Sequence, residues 1–157
     1  MEAIEAVFTI LMVDDDEGHV ELARRNLRRI GVSNPIVTVN DGARALDYIF
    51  RRGEFAQRDE VQLLILLDIN MPGGVNGVEV LRQMKADPVT RKTPVIMLST
   101  TDDPREIAMC YELGCSVYIK KPIDSVQFVE AMKRLGLFLQ IIRVATAELG
   151  ALAAPAR

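Results

Sequence analysis

Cysteine, histidine and surplus positive charge are all scarce in this chain, and each scarcity excludes something. The two cysteines, Cys110 and Cys115, have no ligand partners nearby in sequence. They read as buried small hydrophobes of a reducing compartment, with a redox pair the less favoured alternative. The one histidine, His19, falls on the polar side of a helical segment and reads as a surface residue, not as a metal ligand or phosphorelay group. Lysine and arginine number 19 against 22 aspartates and glutamates, for a net charge of −3. That balance leaves no basic footprint for nucleic acid and no polybasic patch for a membrane surface. No stretch reaches the ~18 consecutive apolar residues of a membrane span. The opening "MEAIEAVF" lacks the basic n-region of a signal peptide, so a cytoplasmic protein is expected. Internal repeats, low-complexity segments and linkers are missing too. The 157 residues, 49% of them apolar, therefore suit one compact domain.

What is there is a set of short apolar runs rich in β-branched residues: Phe8–Val13, Ile36–Val39, Gln62–Leu67, Val95–Leu98 and Val117–Ile119. They do not alternate apolar with polar, so both faces of each strand should be covered. Helical patterns separate them. Val20, Ala23, Leu27 and Ile30 share one face, and Gly31 follows as a C-terminal stop. Ala45, Leu46, Ile49 and Phe50 share another, in a segment expected to end at Gly53. A third helix opens with Asn76 as N-cap and Glu79 three residues on, and ends before Pro88. A fourth opens with Asp103, Pro104 and Glu106 and closes at Gly114; a last one begins near Asp124. Strand-helix units in series predict an α/β fold, a doubly wound parallel sheet with ligands at the carboxyl ends of its strands.

Those strand ends carry chemistry. Asp14, Asp15 and Asp16 follow the first run, Asp68 the third, Ser99 and Thr100 the fourth, and Lys120, Lys121 and Pro122 the fifth. Clustered carboxylates repel unless a cation neutralises them, and oxygen ligands with places left for water suit Mg²⁺. Such a metal leaves positions open for a phosphoryl group, whose transfer needs positioning and charge neutralisation above all. A hydroxyl and an ammonium can bind phosphoryl oxygens.

Over roughly residues 7 to 137 this pattern resembles the receiver domain of two-component response regulators, the family that includes the chemotaxis receiver. The resemblance implies a flavodoxin-like five-stranded sheet of order 2-1-3-4-5. It implies that Asp68 is the phosphoacceptor and that Asp15, Asp68 and the backbone carbonyl of Asn70 hold Mg²⁺ or Mn²⁺, with Asp14 acting through water. Ser99 matches the switch hydroxyl, with Thr100 beside it at the phosphoryl group. Lys121 matches the family's lysine, before a cis bond to Pro122, and Tyr118 the aromatic switch position. Tyr118 as plain core and Asp68 as a turn residue are the duller alternatives. Asp16 is expected to be an N-cap or a surface charge at the first helix, and Lys120 to face solvent or pair locally. Two positions depart from the family pattern: the loop "MPGGVNG" is one residue longer than Met-Pro-x-x-Asp-Gly and has Asn76 for Asp, and Ser99 stands for the commoner threonine.

Function follows as expectation: a stand-alone, non-enzymatic regulator that takes a phosphoryl group from a histidine kinase and signals by contact with a downstream protein. "IFRRGEFAQRDE" and the lone-receiver layout also resemble the small regulators that partner bacterial phytochromes. Two rivals remain. A Mg²⁺-dependent phosphohydrolase with an aspartyl phosphate would want an acid two residues past the nucleophile, where this chain has Asn70. A phosphorylation-independent scaffold would have no use for the acceptor, acid pair and lysine together.

The domain is expected to cover residues 1–137 and a C-terminal extension residues 138–157. From Phe128 through Met132, Leu135, Leu139, Ile142 and Thr146 to Leu149, apolar-type positions fall at spacings of 4, 3, 4, 3, 4 and 3, a heptad seam. Val129, Leu137, Ile141 and Val144 form a second face. One face covers the sheet; the other predicts a homodimer through the last helix, with folding back on its own domain as the alternative.

Overall fold

The structure is a computed structural model and describes residues 8–71 and 73–137. Five strands form one parallel sheet: β1 (Thr9–Val13), β2 (Ile36–Val39), β3 (Leu63–Asp68), β4 (Val95–Ser99) and β5 (Val117–Lys120), in the order β2-β1-β3-β4-β5. Helices α1 (Glu17–Arg29), α2 (Gly42–Phe50), α3 (Gly77–Ala86), α4 (Pro104–Leu113) and α5 (Ser125–Arg134) alternate with them. This is the doubly wound arrangement that the sequence predicts.

Period-two alternation within the strands divides two apolar layers. Leu11, Val13, Ile65, Leu67, Val95 and Met97 pack toward Ala45, Leu46 and Ile49 of α2, Val80, Leu81 and Met84 of α3, and Cys110 of α4. Ile10, Met12, Leu64, Leu66, Ile96 and Leu98 pack on the other side, toward Val20, Ala23 and Leu27 of α1 and Phe128, Ala131 and Met132 of α5. Residues of β1, β3 and β4 are buried throughout, which explains their unbroken apolar runs. Truncating a fully buried leucine such as Leu66 to alanine is expected to cost about 2–5 kcal/mol. Cys110 and Cys115 are buried free thiols. Burial pushes them up to about 11 and about 12, so neither is a ready thiolate.

Each of these α-helix starts carries a side-chain cap: Asn76, Asp103 and Asp16 as expected, and also Asp41 and Asp124. Asp16, Asp41, Asn76, Asp103 and Asp124 each accept a backbone N–H of the first turn of the helix that follows. Two ends differ from expectation. α2 stops at Phe50, before Gly53, because Arg51 takes the left-handed conformation (φ 55°). The segment after it folds back: the Arg58 guanidinium lies 4.4 Å from the Tyr48 ring centroid and its Nε donates to Tyr48 O at 2.7 Å. Phe55 meets the same ring edge-on at 5.0 Å. α5 stops at Arg134, with Gly136 left-handed (φ 70°) and Leu137 N–H donating to Met132 O at 2.9 Å. Phe128 and Met132, the first members of the heptad seam, are core residues, and the seam does not pass Gly136 as one continuous helix. Its remainder, Leu139 to Leu149, and the extension 138–157 lie outside the described residues.

Candidate phosphoacceptor site

The parallel topology brings the carboxyl ends of β1, β3, β4 and β5 to one edge, so the carboxylates, hydroxyl and ammonium named above share a site. Asp14 follows Val13 directly and is buried; its backbone N–H donates to Val39 O, and its Oδ1 accepts Asp16 N–H at 2.9 Å. Asp15 is exposed. Asp68 ends β3 and is buried. Oxygens of Asp14, Asp15 and Asp68 all lie within 4.8 Å of one another. Three hard carboxylate donors so close, one of them facing solvent, fit a divalent cation such as Mg²⁺ or Mn²⁺ that keeps several waters.

Lys121 arrives from beyond β5. Its backbone N–H donates to Ser99 O at 2.7 Å, and the Lys121-Pro122 bond is cis. Its ammonium lies 2.7 Å from Asp14 Oδ2 and 3.3 Å from Asp68 Oδ1. Burial pushes the Asp68 carboxyl up to about 6, Lys121 pulls it down and Asp14 pushes it up. The site is electrostatically frustrated, because like charges face one another across a few ångström. The carboxylates gain little from their surroundings beyond one ammonium and a few N–H groups.

Ser99 ends β4, fully buried. Its Oγ accepts Thr101 N–H at 3.2 Å and lies 3.3 Å from Glu106 Oε2. Tyr118 Oη lies 2.8 Å from the same carboxylate oxygen and 3.0 Å from Thr101 O. Burial and the Glu106 carboxylate push this phenol up to about 12. Thr100 and Asn70 are exposed at the same edge.

The lengthened loop leaves this edge intact. Gly73 and Gly74 are both left-handed (φ 96° and 85°) and absorb the extra residue. Asn76 still caps α3, accepting Glu79 N–H at 3.0 Å. Gly77 is obligatory, because a Cβ there would sit 2.2 Å from Asp68 O.

Asp16 caps α1 through His19 N–H, which holds its carboxyl below the usual range. Lys120 is exposed, 3.5 Å from Asp102. Two residues take places that sequence reasoning missed. His19 is not merely a surface residue: its Nδ1 lies 3.0 Å from Lys121 Nζ. Glu106 does not reach back to cap its own helix. Asp103 N–H is taken by Thr101 Oγ1 at 3.1 Å, and Glu106 points instead at Ser99 and Tyr118. The signal for His19 was its place in the first turn after a capped helix start, directly over the strand ends. For Glu106 the helix start carried two readings, and the capping one hid the other.

This fold, with an acid cluster, a lysine and a buried hydroxyl at its strand ends, is that of a receiver domain. Residues 10–133 match the response regulator receiver domain, and the chain belongs to that family. It is 34% identical over 136 residues to the probable methanogenesis regulatory protein FilR2 of Methanothrix harundinacea, covering 85% of this chain and 86% of that protein. It is also similar to the bacteriophytochrome response regulator RtBRR, at 36% identity and a TM-score of 0.75, covering 93% of this chain and 95% of that one. A third is the phosphorylated cyanobacterial phytochrome response regulator RcpA, at 31% identity and a TM-score of 0.68, covering 96% and 98%. Among the described residues no helix is long and apolar enough to cross a membrane.

Proposed function

We propose that this chain is a single-domain response regulator that accepts a phosphoryl group from a histidine kinase onto Asp68. One observation carries the reading: the Lys121 ammonium stands between the Asp14 and Asp68 carboxylates, at 2.7 and 3.3 Å, beside an oxygen cluster that suits a divalent cation. An Asp68 oxygen attacks phosphorus as the bond from phosphorus to the kinase's imidazole nitrogen breaks. The imidazole departs with the electron pair and takes a proton from solvent. Asp15, Asp68 and the Asn70 carbonyl would hold Mg²⁺ or Mn²⁺, with Asp14 through water; the bound ion supplies charge neutralisation for the phosphoryl oxygens. Lys121 and the Ser99 hydroxyl take further phosphoryl oxygens, with Thr100 at the outer side.

The acyl phosphate then competes with Glu106 for Ser99. Tyr118 repacks with it, and the surface of α4, β5 and α5 changes, biased by better contact with the phosphoryl group in one state. Output is a contact with a downstream protein, in the cytoplasm. The similarity to bacteriophytochrome response regulators supports a bacterial phytochrome as the kinase. Residues 1–137 form the receiver, and residues 138–157 support a homodimer, alongside exposed Met109 and Tyr111 on α4. Cutting the chain after Leu137 is expected to give a monomer by light scattering; a full-length protein that is monomeric at high micromolar concentration removes the dimer.

The deciding experiment is intact mass after incubation with acetyl phosphate and Mg²⁺. Wild type should gain one phosphoryl group and Asp68→Asn none. No gain on wild type, or an equal gain on the variant, refutes the assignment.

A further inference from the structure

We propose that His19 is a positioning residue for phosphoryl transfer, holding the Lys121 ammonium in the direction that the phosphoryl group needs. The inference rests on Asp68 being the acceptor and adds a residue to that site. The Lys121 side chain is only 7% exposed. With Met12, Leu22, Leu98 and Ile123 it lines a largely apolar cavity of about 20 Å³. A charge so withdrawn from water needs a partner for each donor. An ammonium has three N–H donors and no acceptor. Two face Asp14 and Asp68; the third faces His19 Nδ1 at 3.0 Å.

That contact fixes the imidazole's role. A nitrogen facing an ammonium must present its lone pair, so Nδ1 accepts and the ring proton sits on Nε2. The carboxylates of Asp14 and Asp16 are farther from Nδ1, at 3.9 and 3.8 Å, beyond hydrogen-bond reach. An Nδ1–H serving them would aim its proton at Lys121. The backbone places the residue: His19 N–H donates to the Asp16 cap at 3.1 Å, which sets His19 in the first turn of α1, and the ring's contact there is with Lys121.

The consequence appears when the acyl phosphate forms. The Asp68 oxygen–phosphorus bond is made as the bond from phosphorus to acetate oxygen breaks, and acetate leaves with the electron pair. Negative charge moves from the Asp68 carboxylate out to the phosphoryl oxygens. The Lys121 donor that faced Asp68 must follow it, while the other two stay on Asp14 and His19. Two fixed acceptors define the direction of the third N–H. With Asp14 alone, the ammonium is free to turn about that one contact.

The test is the rate of phosphoryl gain on the full chain, by intact mass, with acetyl phosphate over a range of Mg²⁺. His19→Ala should lower the rate at saturating Mg²⁺ about three- to tenfold, the scale of one partly exposed hydrogen bond. The Mg²⁺ concentration for half-maximal rate should stay within twofold of wild type. His19→Asn, whose amide oxygen can stand near the place of Nδ1, should recover most of the lost rate. The ring is 44% exposed, so all three proteins are expected to fold, and melting curves check this. A His19→Ala rate equal to wild type overturns the proposal. So does equal impairment of both variants, or a loss confined to Mg²⁺ dependence. These outcomes leave the acceptor assignment standing; only a missing gain on wild type, or a gain on Asp68→Asn, removes both.

Discussion

The edge that carries the site has two sides built on different principles. On the acid side, at the ends of β1 and β3, Asp14, Asp15 and Asp68 crowd together with a single ammonium, Lys121. On the hydroxyl side, between β4 and α4, Thr101 N–H, Asp103 N–H and Arg105 N–H each donate to a side-chain oxygen two residues back, on Ser99, Thr101 and Asp103. Glu106 closes that ladder by meeting both Ser99 and Tyr118. The acid side sets three carboxylates against one ammonium, a charge balance that a bound cation would complete. The hydroxyl side is complete as it stands, so a phosphoryl group can engage Ser99 only by taking it from an existing partner. One side is built to bind and the other to be rearranged.

If that division is real, metal dependence should belong to the acid side alone. Asp15→Asn removes an exposed carboxylate of the cluster and should weaken Mg²⁺ on the order of a hundredfold, read by calorimetric titration. Ser99→Ala should leave Mg²⁺ affinity within twofold of wild type while slowing phosphoryl gain. A comparable loss of Mg²⁺ affinity in Ser99→Ala would erase the distinction.

The frustration of the acid side has a stability signature. Burial raises the Asp68 carboxyl from its ordinary 3.8 to about 6, so the folded protein holds this proton more tightly than the unfolded chain. The stability from this group is fully present below about 4 and is lost as pH rises through about 6. In a chelator at pH 7.5, Asp68→Asn should therefore exceed wild type by about 2–3 kcal/mol, roughly 5–9 °C in melting temperature. The gap should close toward pH 4. Mg²⁺ should narrow it at pH 7.5, because only the wild type gains by binding the ion well. A pH-independent gap would mean that the variant acts through packing.

The two sides also differ in how legible they were. Asp14 and Asp68 directly follow apolar runs, and Asp15 and Lys121 stand two residues after one, so a parallel sheet alone brings them together. The hydrophobic periodicity of strands and helices is local, and it marked the core and the parallel sheet without tertiary detail; the strand order came from the family resemblance. Glu106 escaped because its neighbours in space, Ser99 and Tyr118, lie seven residues before it and twelve after. Its spacing from Asp103 offered a local hydrogen bond that Thr101 had already satisfied. The early end of α2 escaped for a similar reason. Arg51 is left-handed where Gly53 was expected to close the helix, and Arg58, eight residues beyond Phe50, folds back onto Tyr48.

Glu106 is therefore where the hydroxyl side can be sharpened. Its carboxylate accepts the Ser99 hydroxyl, and under the proposed function it would compete with the acyl phosphate for that hydroxyl. Glu106→Gln weakens that acceptor and should lengthen the life of the phosphorylated form about three- to fivefold, the scale of one hydrogen bond. Decay of the phosphorylated mass after donor removal measures it. An unchanged or shorter life would show that Glu106 is not competing for Ser99.

The smallest expected effect tests the ladder itself. Thr101→Val keeps the side chain's shape and removes the oxygen that accepts Asp103 N–H at 3.1 Å. That N–H is partly exposed and can turn to water, so the cost should be about 0.5 kcal/mol, or 1–2 °C in melting temperature. The loss loosens the residue that caps α4, so it should also raise amide hydrogen exchange in the first turn, at Arg105 and Glu106, while Mg²⁺ affinity stays at the wild-type value. The acid side has no hydrogen bond to Thr101 and should not register its removal. Faster exchange confined to α4 would place the two sides on separate supports; faster exchange that also reached Asp14 and Asp15 would join them through Ser99 O, which accepts Lys121 N–H at 2.7 Å.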